Sequence, residues 1–202
     1  MLARIPLPSS GAYNITISEE PPFFWFRVAK VCTRTIYAVL KRQQARLIAE
    51  HPYQVRYLPV LYSGFFKFAF VRNPFDRLVS AWCSKVIQHN YFAFDARAQR
   101  EMREFASFVK YVSQLDLEVC DPHLRLQSKL IDLNELDFLG RFENFAEDFA
   151  HVQRRLGFAP LAEHRNRSSH LDYREYYDPA SRDTVQRCYA RDLRIFGYRY
   201  DR

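Results

Sequence analysis

The chain has 202 residues, 48% of them hydrophobic and 16% aromatic, which is enough for one well-cored domain and barely enough for two. Only five glycines are present and no repeat is visible, which argues against a repetitive or linker-rich protein. The net charge of +7 favours an anionic partner, whether a nucleotide, a nucleic acid, an acidic glycan or a membrane surface. A basic surface that serves solubility alone remains the alternative.

The four cysteines form no C-x-x-C pair, which predicts a reduced protein with no disulfide framework and no zinc knuckle. The N-terminal residues lack the apolar core of a signal peptide, and no run of about 18 apolar residues is present. We therefore expect a cytoplasmic protein with no integral membrane segment, unless the chain is a truncated luminal domain.

In chain order, residues 1–22 predict an N-terminal arm because they are rich in Pro, Ser and Gly. A single domain over residues 23–202 then opens with the apolar strand 23–29. A helix follows, in which Ile36 and Leu40 share an apolar face that extends to Leu47. The next strand covers residues 67–71.

The helix after this second strand has a strong start signal, because Asn73 can cap it and Pro74 suits its first position. Further segments are assigned in the same way: a helix over 101–115, a helix start at Asp121, a strand in 137–142, a helix with a capping box at Asn144 that ends at Gly157, a polar loop over 162–179 and a last helix over 181–196.

This alternation of strands and helices predicts an α/β fold with a central, P-loop-like parallel sheet flanked by helices. Ligands of such folds bind beyond the carboxyl ends of the strands, where the helices begin. Two strand-to-helix joints carry basic residues at such ends, one at Lys30 and one at Arg72.

The first joint is a candidate anion site. Lys30 adds a point charge where backbone N–H groups and a helix dipole favour a phosphate. The residues that follow are Val31, Cys32, Thr33, Arg34 and Thr35, which add hydroxyl donors and a second guanidinium. The pattern is not a Walker A loop, so an ATPase or GTPase is not expected. A basic residue that merely ends a strand is the alternative.

At the second joint, Arg72 and Ser80 are spaced so that both can reach one phosphate group. The alternative is that Arg72 pairs with Asp76 and that Ser80 bonds to its own helix. We expect Arg77 to be a surface or packing residue. Together, two phosphate-binding joints suit a nucleotide that carries two separate phosphate groups.

The stretch "KFAFVRNPFDRLVSAW" resembles the 3′-phosphate-binding segment of sulfotransferases that use 3′-phosphoadenosine 5′-phosphosulfate (PAPS). It is most similar to the carbohydrate branch (Golgi-type, sulfotransferase family 2) and its bacterial relatives. That pattern is an apolar strand followed by R-[DN]-P-x-x-R-L-x-S, which this chain matches from Arg72 to Ser80.

The stretch "FRVAKVCTRTI" is similar to the 5′-phosphosulfate loop of that family, P-K-x-x-x-[ST]-[ST]. Lys30 matches the lysine, whereas Ala29 replaces the proline and Arg34 occupies a position where a small hydroxyl residue is common. Downstream, "DPHLRLQSKL" resembles D-x-H-W-x-P-Q, with His123 and Gln127 in register. The likeness extends over residues 23–200.

The resemblance implies sulfuryl transfer from PAPS to an acceptor hydroxyl, with 3′,5′-adenosine bisphosphate (PAP) as the product and no metal. In this interpretation Lys30 is catalytic and Lys30 to Thr35 bind the 5′-phosphosulfate, while Arg72 and Ser80 bind the 3′-phosphate. His123 would be the general base, because the base needs a pKa near the working pH.

The acceptor would be a glycan or another hydroxyl-bearing molecule, possibly acidic, and Gln127, Arg165 and Arg167 are candidates to bind it. Two alternatives stay open. One is a PAP-binding relative without activity, which the changed residues Ala29 and Arg34 would permit. The other is a basic nucleic-acid-binding protein, although no signature of such a module is present.

Overall fold

The computed structural model describes residues 7–159 and 171–201. The chain divides into two compact units, residues 1–71 with 127–166 and residues 72–126 with 167–202. Among the described residues, the first unit contains the sheet and two α-helices, and the second unit is helical. The prediction of one domain over residues 23–202 stays a prediction.

The first unit is built on a five-stranded sheet with the spatial order β3-β1-β2-β4-β5. Its strands are β1 (Ile15–Glu20), β2 (Pro22–Phe26), β3 (Arg46–Ala49), β4 (Phe66–Val71) and β5 (Phe138–Arg141). Strands β2, β4 and β5 are parallel, whereas β1 is antiparallel to both of its neighbours. Four of the five strands therefore run in one direction, which confirms the predicted α/β fold with a central sheet.

The two faces of this sheet pack against different parts of the chain. On one face, Trp25 meets Tyr37 of helix α1 (Thr33–Arg42) at 5.2 Å between ring centroids. On the same face, Phe70 packs against Phe145 of helix α5 (Phe145–Arg155) at 5.2 Å. On the other face, Phe24 lies 4.6 Å from the ring of Tyr57. Alternate side chains of each strand thus supply two separate apolar layers.

The second unit is a cluster of helices: α2 (Pro74–Trp82), α3 (Ala96–Glu101), α4 (Phe105–Val112), α6 (Pro179–Cys188) and α7 (Ala190–Phe196). A π-helical turn, Cys83–Ile87, extends α2. The apolar core of the second unit joins Leu78 and Trp82 of α2 to Phe108 of α4 and to Val185 and Tyr189. The indole Nε1 of Trp82 donates to the Met102 carbonyl at 2.8 Å.

Several local predictions are confirmed. Asn73 caps α2, since its side chain accepts from the Phe75 N–H, and Pro74 occupies the first helical position. Gly157 follows α5 with a φ of 71°, the left-handed conformation expected at a helix end. The strand predicted in 137–142 is β5.

Other predictions are wrong. The predicted arm contains β1, which pairs with both β2 and β3 and buries Ile15 and Ile17. Leu47 lies in β3 rather than on the face of α1. The segment after Asp121 forms turns instead of a helix, because the Asp121 carboxylate accepts from the backbone of His123.

Helix boundaries also differ from those predicted. The last helix divides at Tyr189 into α6 and α7, and the helix predicted over 101–115 is limited to α4. The capping box at Asn144 does not form, because Asn144 makes no side-chain cap hydrogen bond. Within the described part of the chain, no helix is long and apolar enough to cross a membrane.

Candidate functional site

The first joint, residues Arg27 to Cys32, links β2 to α1 with an unusual backbone. Lys30 and Cys32 have positive φ values of 69° and 52°, although neither is glycine. Each left-handed residue of this kind costs roughly 1 kcal/mol in local conformational energy. Left-handed residues in a turn bring successive N–H groups to one side, as in anion-binding nests. This backbone is compatible with the predicted anion site at the start of α1.

The side chains of this joint differ in their exposure to solvent. Lys30 is half-buried, Val31 is buried and Arg34 is exposed. The Thr33 hydroxyl donates to the Val28 carbonyl at 3.4 Å, a contact that holds the loop. Val31 can therefore contribute through its backbone only, whereas Lys30 can reach a ligand.

Two features of helix α1, its N-cap residue and its distribution of charges, affect the electrostatics of this joint. Cys32 occupies the N-cap position of α1 without a side-chain cap hydrogen bond. No acidic residue lies in the first turn of α1, and Lys41 and Arg42 lie in its last turn. The first turn of α1 thus supplies no carboxylate of its own to offset the positive end of the helix dipole.

The second joint begins with Arg72, the residue that follows β4. Arg72 is only 2% exposed, and its Nε donates to the Asp76 carboxylate at 2.7 Å. The alternative contact considered from the sequence is therefore present. A guanidinium has five N–H donors, so a pair through Nε does not by itself exclude a phosphate on the remaining donors.

Ser80 lies two turns into α2 and is half-buried. Among the described residues its hydroxyl makes no hydrogen bond, so the predicted alternative of a bond back to its own helix is not seen. The hydroxyl therefore has full capacity to bind a ligand oxygen.

Arg77 is a residue whose role the sequence did not reveal. Its side chain is 1% exposed and donates to two carbonyls, that of Arg125 at 2.9 Å and that of Pro122 at 2.7 Å. Burial lowers the pKa of this guanidinium. Arg77 thus fixes the backbone on both sides of His123.

His123 forms a dyad with Asp121. Its Nδ1 lies 2.8 Å from Asp121 Oδ1, and its backbone N–H donates to the same oxygen at 2.9 Å. A carboxylate accepts hydrogen bonds, so the ring proton belongs on Nδ1 and Nε2 carries the lone pair. Within residues 7–159 and 171–201, no hydrogen bond engages Nε2.

Burial lowers the pKa of His123, and the positive charge of Lys85 adds to that lowering, while the hydrogen bond that the ring donates to Asp121 opposes it. Burial also acts to raise the pKa of Asp121, but hydrogen bonds from the side chain and backbone of His123 outweigh it and lower that pKa. The pair is thus a neutral imidazole beside an ionised carboxylate at neutral pH.

Other predicted site residues are less informative. Gln127 is completely buried, in the first unit, and presents no surface to an acceptor in this conformation. Arg165 and Arg167 lie outside the described residues. In the part of the chain that the structure describes, no group of His, Cys, Asp or Glu could hold a metal ion.

Comparison with known proteins identifies the relatives of the chain. A family model described as "Sulfotransferase family" matches residues 13–199. The chain belongs to the sulfotransferase family. It is 25% identical over 171 residues to carbohydrate sulfotransferase 10 of Xenopus laevis, an alignment that covers 68% of this chain and 48% of that protein.

A second relative is carbohydrate sulfotransferase 12 of Xenopus laevis, which is 28% identical over 166 residues and aligned over 65% of this chain and 40% of its own length. The chain thus spans less than half the length of either of these curated relatives. No solved structure matches it. The family resemblance predicted from "KFAFVRNPFDRLVSAW" is confirmed.

Proposed function

We propose that this sulfotransferase moves a sulfuryl group from PAPS to a hydroxyl of a carbohydrate acceptor and releases PAP. The observation that carries the proposal is the family match, which extends over residues 13–199 and so includes both phosphate joints and the His123 segment. The names of the relatives support a carbohydrate acceptor.

The transfer is a displacement at sulfur. The acceptor oxygen forms a bond to sulfur, and the bond from sulfur to the bridging oxygen of the 5′-phosphate breaks. The electron pair of that bond stays on the departing phosphate, while the acceptor's hydroxyl proton passes to a base. As in phosphoryl transfer, positioning and charge stabilisation account for most of the catalysis.

Lys30 is the residue proposed to neutralise the charge that develops on the bridging oxygen. Its left-handed backbone and half-buried side chain support this role, because the loop backbone is compatible with an anion site. The loop from Val31 to Thr35 is proposed to bind the 5′-phosphosulfate through backbone donors and the hydroxyl of Thr35. Arg34 is exposed and able to contact the same group.

The 3′-phosphate of the donor is assigned to Arg72 and Ser80. Burial of Arg72 supports this assignment, since a guanidinium with little water contact binds a dianion strongly. Asp76 holds Nε, which fixes the plane of the guanidinium. The Ser80 hydroxyl supplies a further donor.

His123 is the proposed general base. The dyad with Asp121 leaves the lone pair on Nε2, and Asp121 would stabilise the imidazolium once the proton is taken. The lowered pKa keeps the imidazole neutral at pH values where an ordinary histidine begins to protonate.

The cytoplasmic location and the absence of a metal stay predictions. The same holds for contacts of the acceptor with Gln127, Arg165 and Arg167. A second function has some support from the sequence, because Ala29 and Arg34 depart from the donor-loop pattern of the family. A protein that binds PAP without transferring sulfate would fit those two changes.

The experiment that tests the proposal is calorimetric titration with PAP, AMP and ATP. We expect PAP to bind at least tenfold more tightly than AMP, and Arg72→Ala to remove this difference, about 1.4 kcal/mol or more. Arg103→Ala is the matched control, since Arg103 is exposed in a turn and has no assigned role. Equal affinity for PAP and AMP in the wild type would reject the donor site.

Turnover is then measured with labelled PAPS and a panel of glycans. We expect His123→Ala to abolish transfer while it leaves PAP affinity unchanged. Tight PAP binding without transfer to any glycan would favour the non-catalytic alternative. Binding of polynucleotides with steep salt dependence and no competition by PAP would favour the nucleic-acid alternative.

A further inference from the structure

One residue outside the family-like segments lies against the His123–Asp121 dyad, and a second lies against that residue. The Tyr91 hydroxyl donates to Asp121 Oδ2 at 3.2 Å. The Tyr91 ring also meets the His123 ring edge to face, with centroids 5.0 Å apart. Tyr91 therefore contacts both members of the dyad, through different parts of its side chain.

Lys85 extends this arrangement by one step. Its Nζ lies 3.9 Å from the centre of the Tyr91 ring, a cation–π contact. Lys85 belongs to the π-helical turn that follows α2, whereas Tyr91 lies in the loop beyond it. The four side chains form a chain of contacts from Lys85 through Tyr91 and Asp121 to His123.

The two carboxylate oxygens of Asp121 have separate partners. Oδ1 accepts from the ring and the backbone of His123, and Oδ2 accepts from Tyr91. A carboxylate held at both oxygens cannot rotate without breaking one set of these bonds. The proton on His123 Nδ1 is thereby fixed, and with it the identity of the basic nitrogen.

We propose that Tyr91 and Lys85 are positioning residues of this sulfotransferase, which hold Asp121 on His123 Nδ1 and so keep Nε2 as the proton acceptor. The inference rests on the proposed role of His123 as the base. The inference predicts a fixed tautomer and a fixed proton affinity for the imidazole of His123. Both can be measured without turnover.

The charges around His123 give the direction of the expected effects. Asp121 raises the pKa of the imidazole, while Lys85 and the buried Arg77 lower it. Loss of the Tyr91 hydroxyl frees Oδ2, so Asp121 can rotate away from Nδ1 and the imidazole loses the contact that raises its pKa. Loss of the Lys85 charge removes a contribution that lowers this pKa. Tyr91→Phe is therefore expected to shift protonation of His123 to lower pH, and loss of Lys85 to higher pH.

The test compares Tyr91→Phe and Lys85→Met with the wild-type chain by NMR of the ¹⁵N-labelled histidine ring. We expect the wild type to show the tautomer with the proton on Nδ1. The midpoint of the His123 titration should fall in Tyr91→Phe and rise in Lys85→Met, and in Tyr91→Phe the tautomer should become mixed. Tyr173→Phe is the matched control, because it removes a hydroxyl that donates to the Tyr200 carbonyl.

Kinetics provide the second readout. We expect kcat of Tyr91→Phe to fall about three- to tenfold, with little change in the KM for PAPS. The acid limb of the pH profile should move to lower pH in Tyr91→Phe and to higher pH in Lys85→Met. An unchanged tautomer, titration midpoint and acid limb in both variants would overturn the inference.

The NMR and kinetic measurements also distinguish the positioning role of Tyr91 from the proposed function. If the wild type shows no transfer but the tautomer and midpoint respond as described, the positioning contacts stand and the proposed function fails. If transfer occurs but Tyr91→Phe leaves the tautomer and midpoint unchanged, the proposed function stands and the positioning role fails.

Discussion

Arg77 is the clearest case of a residue whose importance comes from its partners. It is a fully buried cation, and its guanidinium donates to the carbonyls of Pro122 and Arg125. Charged hydrogen bonds of this kind are stronger than neutral ones, and their loss leaves buried carbonyls without donors.

We expect Arg77→Ala to lower the free energy of unfolding by about 3 kcal/mol, because two buried carbonyls lose their donors and a cavity opens. Urea denaturation followed by circular dichroism measures this change. Arg103→Ala, at an exposed position, should change stability by less than about 0.5 kcal/mol. Equal stability of the two variants would contradict the structural role of Arg77.

The sequence could not reveal this role, because the partners of Arg77 lie 45 and 48 positions away along the chain. His123 and Arg72 were accessible through family-like segments. Tyr91 and Lys85 were not, since no motif marks them and only the folded chain shows that Tyr91 contacts Asp121 and that Lys85 contacts Tyr91. Local pattern thus predicts individual site residues, whereas long-range contacts determine how these residues are held.

At the scale of elements, the packing of β4 on β5 depends on a missing side chain. Gly140 in β5 lies opposite Phe70 in β4, and a Cβ at position 140 would approach the Phe70 ring to 2.2 Å. Phe70 is buried between Phe145 and Phe149 of α5, so its ring has little room to move.

We expect Gly140→Ala to destabilise the protein by about 2 kcal/mol, through displacement of Phe70 from its packing against α5. Gly64→Ala is the matched control, since a Cβ there would meet nothing within 4 Å. Thermal unfolding of both variants provides the measurement. A melting temperature for Gly140→Ala equal to that of Gly64→Ala would show that the Phe70 ring adapts without cost.

Elements also show where sequence patterns are reliable. Helix α2 was predicted correctly because its signals, a capping Asn followed by Pro, act within a few residues. Strand β1 was missed because its pairing with β3 joins residues about thirty positions apart. The short turn between β1 and β2 makes these strands antiparallel, a feature that an alternation of strands and helices does not reveal.

At the scale of the whole molecule, the excess of seven positive charges bears on the acceptor. A basic protein attracts an acidic glycan over distances of roughly 10 Å at moderate salt, and added salt screens this attraction. A neutral oligosaccharide has no such dependence. The response of the KM to salt therefore reports the charge of the preferred acceptor.

We expect the KM for an acidic glycan to rise roughly threefold between about 0.05 and 0.3 M salt, while that for a neutral glycan stays nearly constant. Initial rates with labelled PAPS, measured at saturating donor, give both values. If both acceptors respond alike, the charge of the protein serves solubility or donor binding rather than acceptor choice.

The two tryptophans of the chain are distributed one to each compact unit. Trp25 lies in the sheet core of the first unit, and Trp82 lies in the helical core of the second. Replacing either one by Phe would leave a single tryptophan, and excitation at wavelengths that only tryptophan absorbs would then report on one unit alone. The fluorescence of two such variants during denaturation would therefore distinguish one cooperative transition from two, with no dye attached to the protein.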